Sequence, residues 1–208
     1  MMTIDAGLFT VERQGCKTAV FAREGAAQIR GALFENAGCK PAFHEGRGTV
    51  MRFPYLDGDG LVRRYERGGA VRFILKDQYL FDNRPLREFR VHFHVHAKGL
   101  PVPELLGVCW QRKGICFSGA IATREIPSMN LEQYLKSEPE DADDTLRKCG
   151  VLVRRLHDIG VVHADLQVRN ILIGSDGPAL IDFDNATWLS SVGVLRRSQN
   201  LLRLRRSF

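Results

Sequence analysis

The segment spanning residues 161–186, VVHADLQVRNILIGSDGPALIDFDNA, constrains this chain more than any other. It sets His163, Asp165 and Asn170 in the spacing H-x-D-L-x-x-x-N. An apolar run, Ile171-Leu172-Ile173, leads into a Gly-containing turn, and a second run, Ala179-Leu180-Ile181, ends at Asp182-Phe183-Asp184. Two short apolar runs joined by such a turn predict a β-hairpin. The hairpin brings two carboxylates and a carboxamide together. That set suits phosphoryl transfer, in which one carboxylate takes the proton of an attacking hydroxyl and oxygen donors hold a hard cation against phosphates. A hairpin with polar turns accounts for any one of these residues, but not for the combination.

On this reading Asp165 is the catalytic base, a role typically worth ~10²–10⁴ in rate. Asn170 and Asp182 ligate Mg²⁺, ATP is the donor, and His163 holds the loop by hydrogen bonds. Asp184 serves a second metal or a backbone group. The pattern is that of protein kinases, with informative departures. Ala164 replaces the arginine that reads a phosphorylated activation loop. Gln167 stands where Ser/Thr kinases carry a phosphate-binding lysine, D-F-D replaces D-F-G, and no A-P-E follows. A peptide-binding lobe is therefore not expected, and the acceptor hydroxyl belongs to a small molecule or a glycan.

Upstream, residues 42–65 predict a three-stranded meander: residues 42–44, 49–55 and 61–65, with turns at 45–48 and at Asp57-Gly58-Asp59-Gly60. Gly46 and Gly48 frame a turn whose backbone N–H groups can approach nucleotide phosphates, although an ordinary hairpin turn fits them too. A cation is wanted on the following strand. Alternation puts Val62 and Arg64 on one face and Leu61, Arg63 and Tyr65 on the other. Arg63 is favoured for the phosphates, with Arg64 and Lys76 as alternatives, the latter after an extended stretch at 70–75. A helix then starts at Asp82 or Asn83 with Pro85 in its first turn and ends near Gly99. Leu86, Phe89, Phe93 and Ala97 form one apolar stripe and Glu88, Val91 and Val95 an adjoining one. Glu88, on a partly buried flank, needs a cationic partner, and Arg63 fits. His92, His94 and His96 fan around this helix, so they read as surface or flank residues rather than a metal site.

Residues 100–112 predict a loop and a strand, and 115–123 a second strand. An extended linker follows, with main-chain groups at Arg124, Glu125 and Ile126 placed for an adenine edge. Ser128 or Asn130 caps a short helix over 131–135. The acidic run 138–144 is an exposed loop whose last aspartates cap a helix over 145–159, with Leu146, Cys149, Val153 and Leu156 on its inner face. Residues 1–40 suggest a short strand at 18–21 and a helix at 26–36, without assignable chemistry.

The net charge of +6 favours acidic partners: nucleotide phosphates, anionic lipid or nucleic acid. Five scattered cysteines without C-x-x-C read as reduced structural thiols. No apolar run approaches the ~20 residues that span a bilayer, and residues 1–14 lack a signal-peptide core. A cytosolic protein, or one at a cytosolic membrane face, is expected.

Taken together, Y-E-R-G-G-A-V (65–71), L-K-D-Q-Y-L-F (75–81), R-E-F-R (87–90), G-L-P-V-P (99–103), H-A-D-L-x-x-x-N-I-L (163–172), L-I-D-F-D (180–184) and N-L-L-R-L-R-R-S (200–207) resemble the 3-deoxy-D-manno-octulosonic acid (Kdo) kinases of the lipopolysaccharide kinase group. The resemblance implies ATP-dependent phosphorylation of the 4-hydroxyl of Kdo on a lipid A precursor. It places the protein peripherally at the cytoplasmic face of a Gram-negative inner membrane, in contact with anionic lipid and not with nucleic acid. It also implies that Asp165 is the catalytic residue. A further C-terminal segment is expected after L-R-R-S.

The expected fold is α+β: a single two-lobed, protein-kinase-like domain over residues 1–208 with a reduced C-terminal lobe. Residues 1–123 form a sheet-rich lobe, 124–127 a hinge and 128–208 a helical lobe, with nucleotide between the lobes. One rival is a small-molecule kinase of the aminoglycoside-phosphotransferase type, which shares the H-x-D-x-x-x-x-N pattern. Another is a non-catalytic basic scaffold for lipid A phosphates or nucleic acid. The tail over 195–208 sets arginines among leucines, with Leu201, Leu204 and Phe208 as a helical stripe that packs on the lobe while the arginines meet phosphates.

Overall fold

The computed structural model describes residues 7–45, 48–65, 83–113 and 116–208. Gly46, Lys76, Asp82 and the strand expected over 70–75 lie outside them. The chain divides into two units, Met1–Arg90 with Glu104–Glu125, and Val91–Pro103 with Ile126–Phe208.

Among the described residues, the first unit is a seven-stranded antiparallel sheet with one helix packed on it. The strands are β1 (Phe9–Gln14), β2 (Lys17–Ala22), β3 (Lys40–Glu45), β4 (Gly48–Tyr55), β5 (Gly58–Arg64), β6 (Leu105–Lys113) and β7 (Cys116–Arg124), in the order β1-β2-β6-β7-β5-β4-β3. Helix α1 (Ala26–Glu35) buries Ile29, Ala32, Leu33 and Phe34, a stripe at helical spacing, in a core with Phe21, Phe53, Tyr55, Val62 and Leu106. Full burial of a side chain the size of Leu33 stabilises by about 1.5–3 kcal/mol. Strand β1 had no counterpart in the sequence reading, and Phe9 is its one buried residue. The β4–β5 turn is tighter than the four-residue D-G-D-G turn expected. Tyr55 pairs with Gly58, so Leu56 and Asp57 alone make the turn. Gly60 is then a strand residue, and the Phe53 ring lies 2.4 Å from where its Cβ would stand.

Helix α2 (Arg84–Ala97) begins in the first unit and ends in the second. Asn83 caps it, its Oδ1 accepting from the Leu86 N–H at 3.2 Å. The buried residues of α2 include Glu88, Phe89, Val91 and Val95, whereas Leu86 and Phe93 are half-buried and Ala97 exposed. The histidines depart from expectation: His92 and His94 are buried. Main-chain oxygens make this possible, because a neutral imidazole that donates to a carbonyl can leave water. His92 Nε2 meets Pro103 O at 2.7 Å, and His94 Nε2 meets Ile159 O at 3.1 Å. The His94 ring also stacks on Trp188 at 3.8 Å.

The second unit contains β8 (Ser128–Asn130), α3 (Leu131–Lys136), α4 (Ala142–Asp158), β9 (Val161–Val162), β10 (Ile171–Gly174), β11 (Gly177–Leu180), β12 (Thr187–Trp188) and α5 (Val194–Arg205). Strands β10 and β11 form the expected hairpin, and β8 pairs with β10 on its other side. Asn130 caps α3 through a reciprocal box with Gln133. Helix α4 starts earlier than the predicted 145, with Asp143 and Asp144 inside its first turn, where acids favour the helix dipole. It buries Cys149, Leu152, Val153 and Leu156 against Leu166, Ile171, Leu180 and Phe183. Gly160 stops it at φ 84°, and a Cβ there would lie 2.2 Å from Leu189 O. That close approach lets Leu189 N–H donate to Gly160 O at 2.8 Å, beside the β9–β12 pair. Among the described residues no helix is long and apolar enough to cross a membrane.

Candidate active site

Beyond β9 the chain enters a loop that closes in a 3₁₀ turn, Val168–Asn170. Leu166 and Val168 are buried in the core, whereas Asp165 before them and Gln167 between them are only half-buried. His163 is buried, and its Nε2 donates to Ile181 O at 2.9 Å, as the loop-holding role requires. Burial pushes the imidazole pKa below its ordinary value. The Phe183 ring is buried 5.3 Å from the rings of both His163 and His92, which fixes the chain between Asp182 and Asp184.

Asn170 is buried and donates Nδ2–H to Asp165 O at 2.8 Å, while its own main-chain oxygen accepts from Ile181 N–H at 3.1 Å. Asp165, Asn170 and the end of β11 are thus tied into one frame. The Asp165 carboxylate accepts from Gln167 Nε2 at 2.9 Å and from Arg203 Nη1 at 3.2 Å. Its side chain is 46% exposed, so a hydroxyl can reach it. Arg169 pairs with Glu132 at 2.5 Å and locks the loop to α3. The hydrogen bonds from Arg169 and then Lys136 hold the Glu132 carboxyl down at about 2.

Asp182 has φ 63°, a left-handed conformation that costs an L-residue roughly 1–2 kcal/mol and that aspartate tolerates better than most. Its Oδ1 accepts from Asp184 N–H at 3.4 Å. Among the described residues no three His, Cys, Asp or Glu side chains gather into a metal cage. Magnesium does not need one, since it is commonly bound by one or two protein oxygens plus waters and substrate phosphates. Asn170 spends its N–H on Asp165, which leaves Oδ1 as a donor atom for a cation. With the Asp182 carboxylate, the donor set fits a hard cation.

A groove of about 780 Å³ opens in front of Asp165, lined by Ala164, Asp165 and Gln167 from the loop and by Arg196, Arg203 and Arg206 from α5 and its end. Helix α5 docks through polar contacts. Asn200 is buried, its Nδ2 donating to His163 O at 2.6 Å and its Oδ1 meeting His157 Nε2 at 3.0 Å. Ser207 Oγ accepts from Val168 N–H at 3.0 Å. Of the apolar stripe expected here, Leu204 packs on the core, whereas Leu201 and Phe208 are exposed. Sequence reasoning missed Arg203, Asn200 and His157 as neighbours of the loop.

In the first unit, Arg63 Nη2 donates to both carboxylate oxygens of Glu88, at 2.6 and 2.7 Å, the ion pair expected from strand alternation. The Tyr65 hydroxyl also donates to Glu88. Arg64 faces the other way and donates to Ala32 O at 3.2 Å and to the Asn36 side chain, at the end of α1. Gly48 is the first residue of β4 and pairs with Glu45. The Glu125 carboxylate is held by Arg52 at 2.5 and 2.6 Å, and its N–H donates to Asp59 O at 2.8 Å. Ile126 O accepts from Ser128 Oγ at 2.9 Å. Among the described residues, the Glu125 carbonyl and the Ile126 N–H have no hydrogen-bond partner.

The lipopolysaccharide kinase (Kdo/WaaP) family model matches residues 42–208. The chain belongs to that family. A 3-deoxy-D-manno-octulosonic acid kinase of Xanthomonas campestris pv. campestris strain B100 is 32% identical over 214 residues, covering 94% of this chain and 82% of the relative. Among solved structures, WaaP in complex with acyl carrier protein matches with a TM-score of 0.60 at 16% identity, over 86% of this chain and 72% of that one. The Rio2 kinase of Chaetomium thermophilum matches with a TM-score of 0.59 at 16% identity, over 97% of this chain and 65% of that one. At such identity the likeness establishes the fold, which is α+β and protein-kinase-like. As a member of the Kdo/WaaP family the chain is a phosphotransferase.

Proposed function

We propose that the chain transfers the terminal phosphoryl group of ATP to the 4-hydroxyl of Kdo on a lipid A precursor, at the cytoplasmic face of a Gram-negative inner membrane. The observation that carries this reading is Asp165. Asn170 grips its peptide oxygen and Gln167 its carboxylate, while the side chain opens on a groove of about 780 Å³, within the ordinary range for small-ligand sites. Asp165 takes the hydroxyl proton as the new O–P bond forms and ADP leaves. Bound Mg²⁺ would neutralise charge on the transferring group, with Asp182 and Asn170 as its protein donors. For the nucleotide we assign Gly46, Gly48 and Arg63 to the phosphates, with Glu88 orienting Arg63. The main chain at Glu125 and Ile126 is assigned to the adenine edge. Net charge +6 supports peripheral contact with an anionic bilayer.

The test is incubation with Mg-ATP and Kdo-bearing lipid A precursor, following labelled phosphate. Asp165→Ala is expected to lower turnover by ~10²–10⁴. Equal product from the variant would remove Asp165 from the chemistry. Transfer to an aminoglycoside but not to the Kdo-lipid would overturn the acceptor assignment.

A further inference from the structure

We propose that Arg196, Arg203 and Arg206 form the subsite that binds the carboxylate of the acceptor sugar and so sets which hydroxyl faces Asp165. This rests on the acceptor reading above. The three residues recur at i, i+7 and i+10 on α5 and its end, a spacing that returns to one helical face, and all three line the groove that Asp165 lines. Other arginines of this stretch are placed differently. Arg197 is spent on Asp158 at 2.7 Å and on Val192 O at 2.9 Å, and Arg205 does not line the groove. Arg196 and Arg206 are exposed and have no ion-pair partner among the described residues. Arg203 is one hydrogen bond from the base, with Nη1 at 3.2 Å from Asp165 Oδ1. Three guanidiniums and one carboxylate line this groove, an excess of positive charge that an incoming anion relieves.

The chemistry of the acceptor says which anion. A 3-deoxy-2-ulosonic acid carries its carboxylate on C2 and the proposed acceptor hydroxyl on C4, across one CH₂. An anion at that short, fixed offset from the attacking oxygen falls beside a guanidinium that already touches the base. A lipid phosphate, on a different sugar, does not share that offset. Guanidinium is also the side-chain group whose planar fork matches a carboxylate. When the sugar binds, Arg203 passes from Asp165 to the sugar carboxylate, which leaves the base free for the hydroxyl proton.

Steady-state kinetics with two acceptors tests this: the Kdo-bearing lipid A precursor and the same compound with the Kdo carboxylate as its methyl ester. Arg196→Gln and Arg206→Gln are expected to raise KM for the free acid by about tenfold, as befits loss of a charge-assisted contact, with kcat little changed. Arg203→Gln should move both constants. On the ester, wild type, Arg196→Gln and Arg206→Gln should agree within about twofold, because the anion these two arginines read is gone. Arg205→Gln serves as the control and should match wild type on both. A penalty in Arg196→Gln or Arg206→Gln that persists on the ester overturns the subsite. So does a penalty that disappears only when the lipid A phosphates are removed, or a variant defect seen only in binding to phosphatidylglycerol vesicles. If wild type phosphorylates neither acceptor, the acceptor reading fails, and binding of the methyl ketoside of Kdo, followed by NMR, decides the subsite separately. Binding that weakens in the arginine variants upholds it, and no binding overturns it.

Discussion

His163 Nε2 donates to the main-chain oxygen of Ile181 at 2.9 Å, joining the residue two before Asp165 to the residue just before Asp182. A carbonyl only accepts, so the ring proton is on Nε2. The other nitrogen, Nδ1, is buried without a hydrogen-bond partner, and a second proton there would be a buried unsatisfied charge. The folded ring therefore resists protonation, and its pKa lies below the ordinary value of 6.5, chiefly through desolvation. The unfolded chain takes up this proton first as pH falls. The stability tied to His163 is whole above pH ~6.5 and is lost as pH drops below that towards the folded value. Urea midpoints measured from about pH 7.5 down to about 5 should fall. His163→Gln, which keeps a donor for Ile181 but does not titrate, should flatten the decline.

The Arg63–Glu88 pair predicts a stability effect separable from activity. Glu88 is 3% exposed and Arg63 23%. Glu88→Ala takes away the carboxylate that Arg63 and Tyr65 both reach; breaking a buried pair costs roughly 3–5 kcal/mol, and the partial exposure of Arg63 brings this one to about the lower figure. Replacing both residues with methionine takes both charges out together and should cost less than the sum of the single changes. Chemical denaturation of the four proteins in a double-mutant cycle measures this. Strict additivity would show that the pair contributes no coupling.

How far the sequence could be read follows the distance between partners. The 161–186 segment was legible because its contacts are local: His163, Asp165, Asn170 and Ile181 are tied to one another within one short stretch of chain. Arg63–Glu88 was legible because strand alternation and a helix flank each expose one side chain to a defined face. Arg203 on Asp165 was not, because the two lie 38 residues apart and neither belongs to a periodic pattern that names the other. The same holds for the buried His92 and His94, where polarity suggests surface and only the main-chain oxygens of Pro103 and Ile159 reverse it. Strand β1 was missed because an edge strand with one buried residue carries little alternation.

Asp182 allows backbone and chemistry to be told apart. At φ 63° an alanine pays the left-handed penalty that glycine escapes. Asp182→Gly should therefore be more stable than Asp182→Ala by about 1 kcal/mol in urea unfolding. Both variants lose the proposed magnesium ligand, so both should be equally deficient in phosphoryl transfer, whatever their stability. Activity returning in the glycine variant would show that conformation, not the carboxylate, is what position 182 provides.

Asn200 predicts how tightly α5 is coupled to the loop. Its side chain bridges His157 on α4 and His163 at the head of the loop, and both contacts are buried. In Asn200→Leu the His163 oxygen keeps the Leu166 N–H at 3.2 Å, so the larger loss falls on His157, whose ring nitrogen is left buried without its partner. An unsatisfied buried group of this kind costs about 1–3 kcal/mol. Changing His157 to leucine as well removes the orphaned nitrogen. The double variant should therefore unfold at a higher urea concentration than Asn200→Leu alone, although it has lost one more polar residue. If the double variant is the less stable of the two, the His157–Asn200 contact is not what α5 relies on.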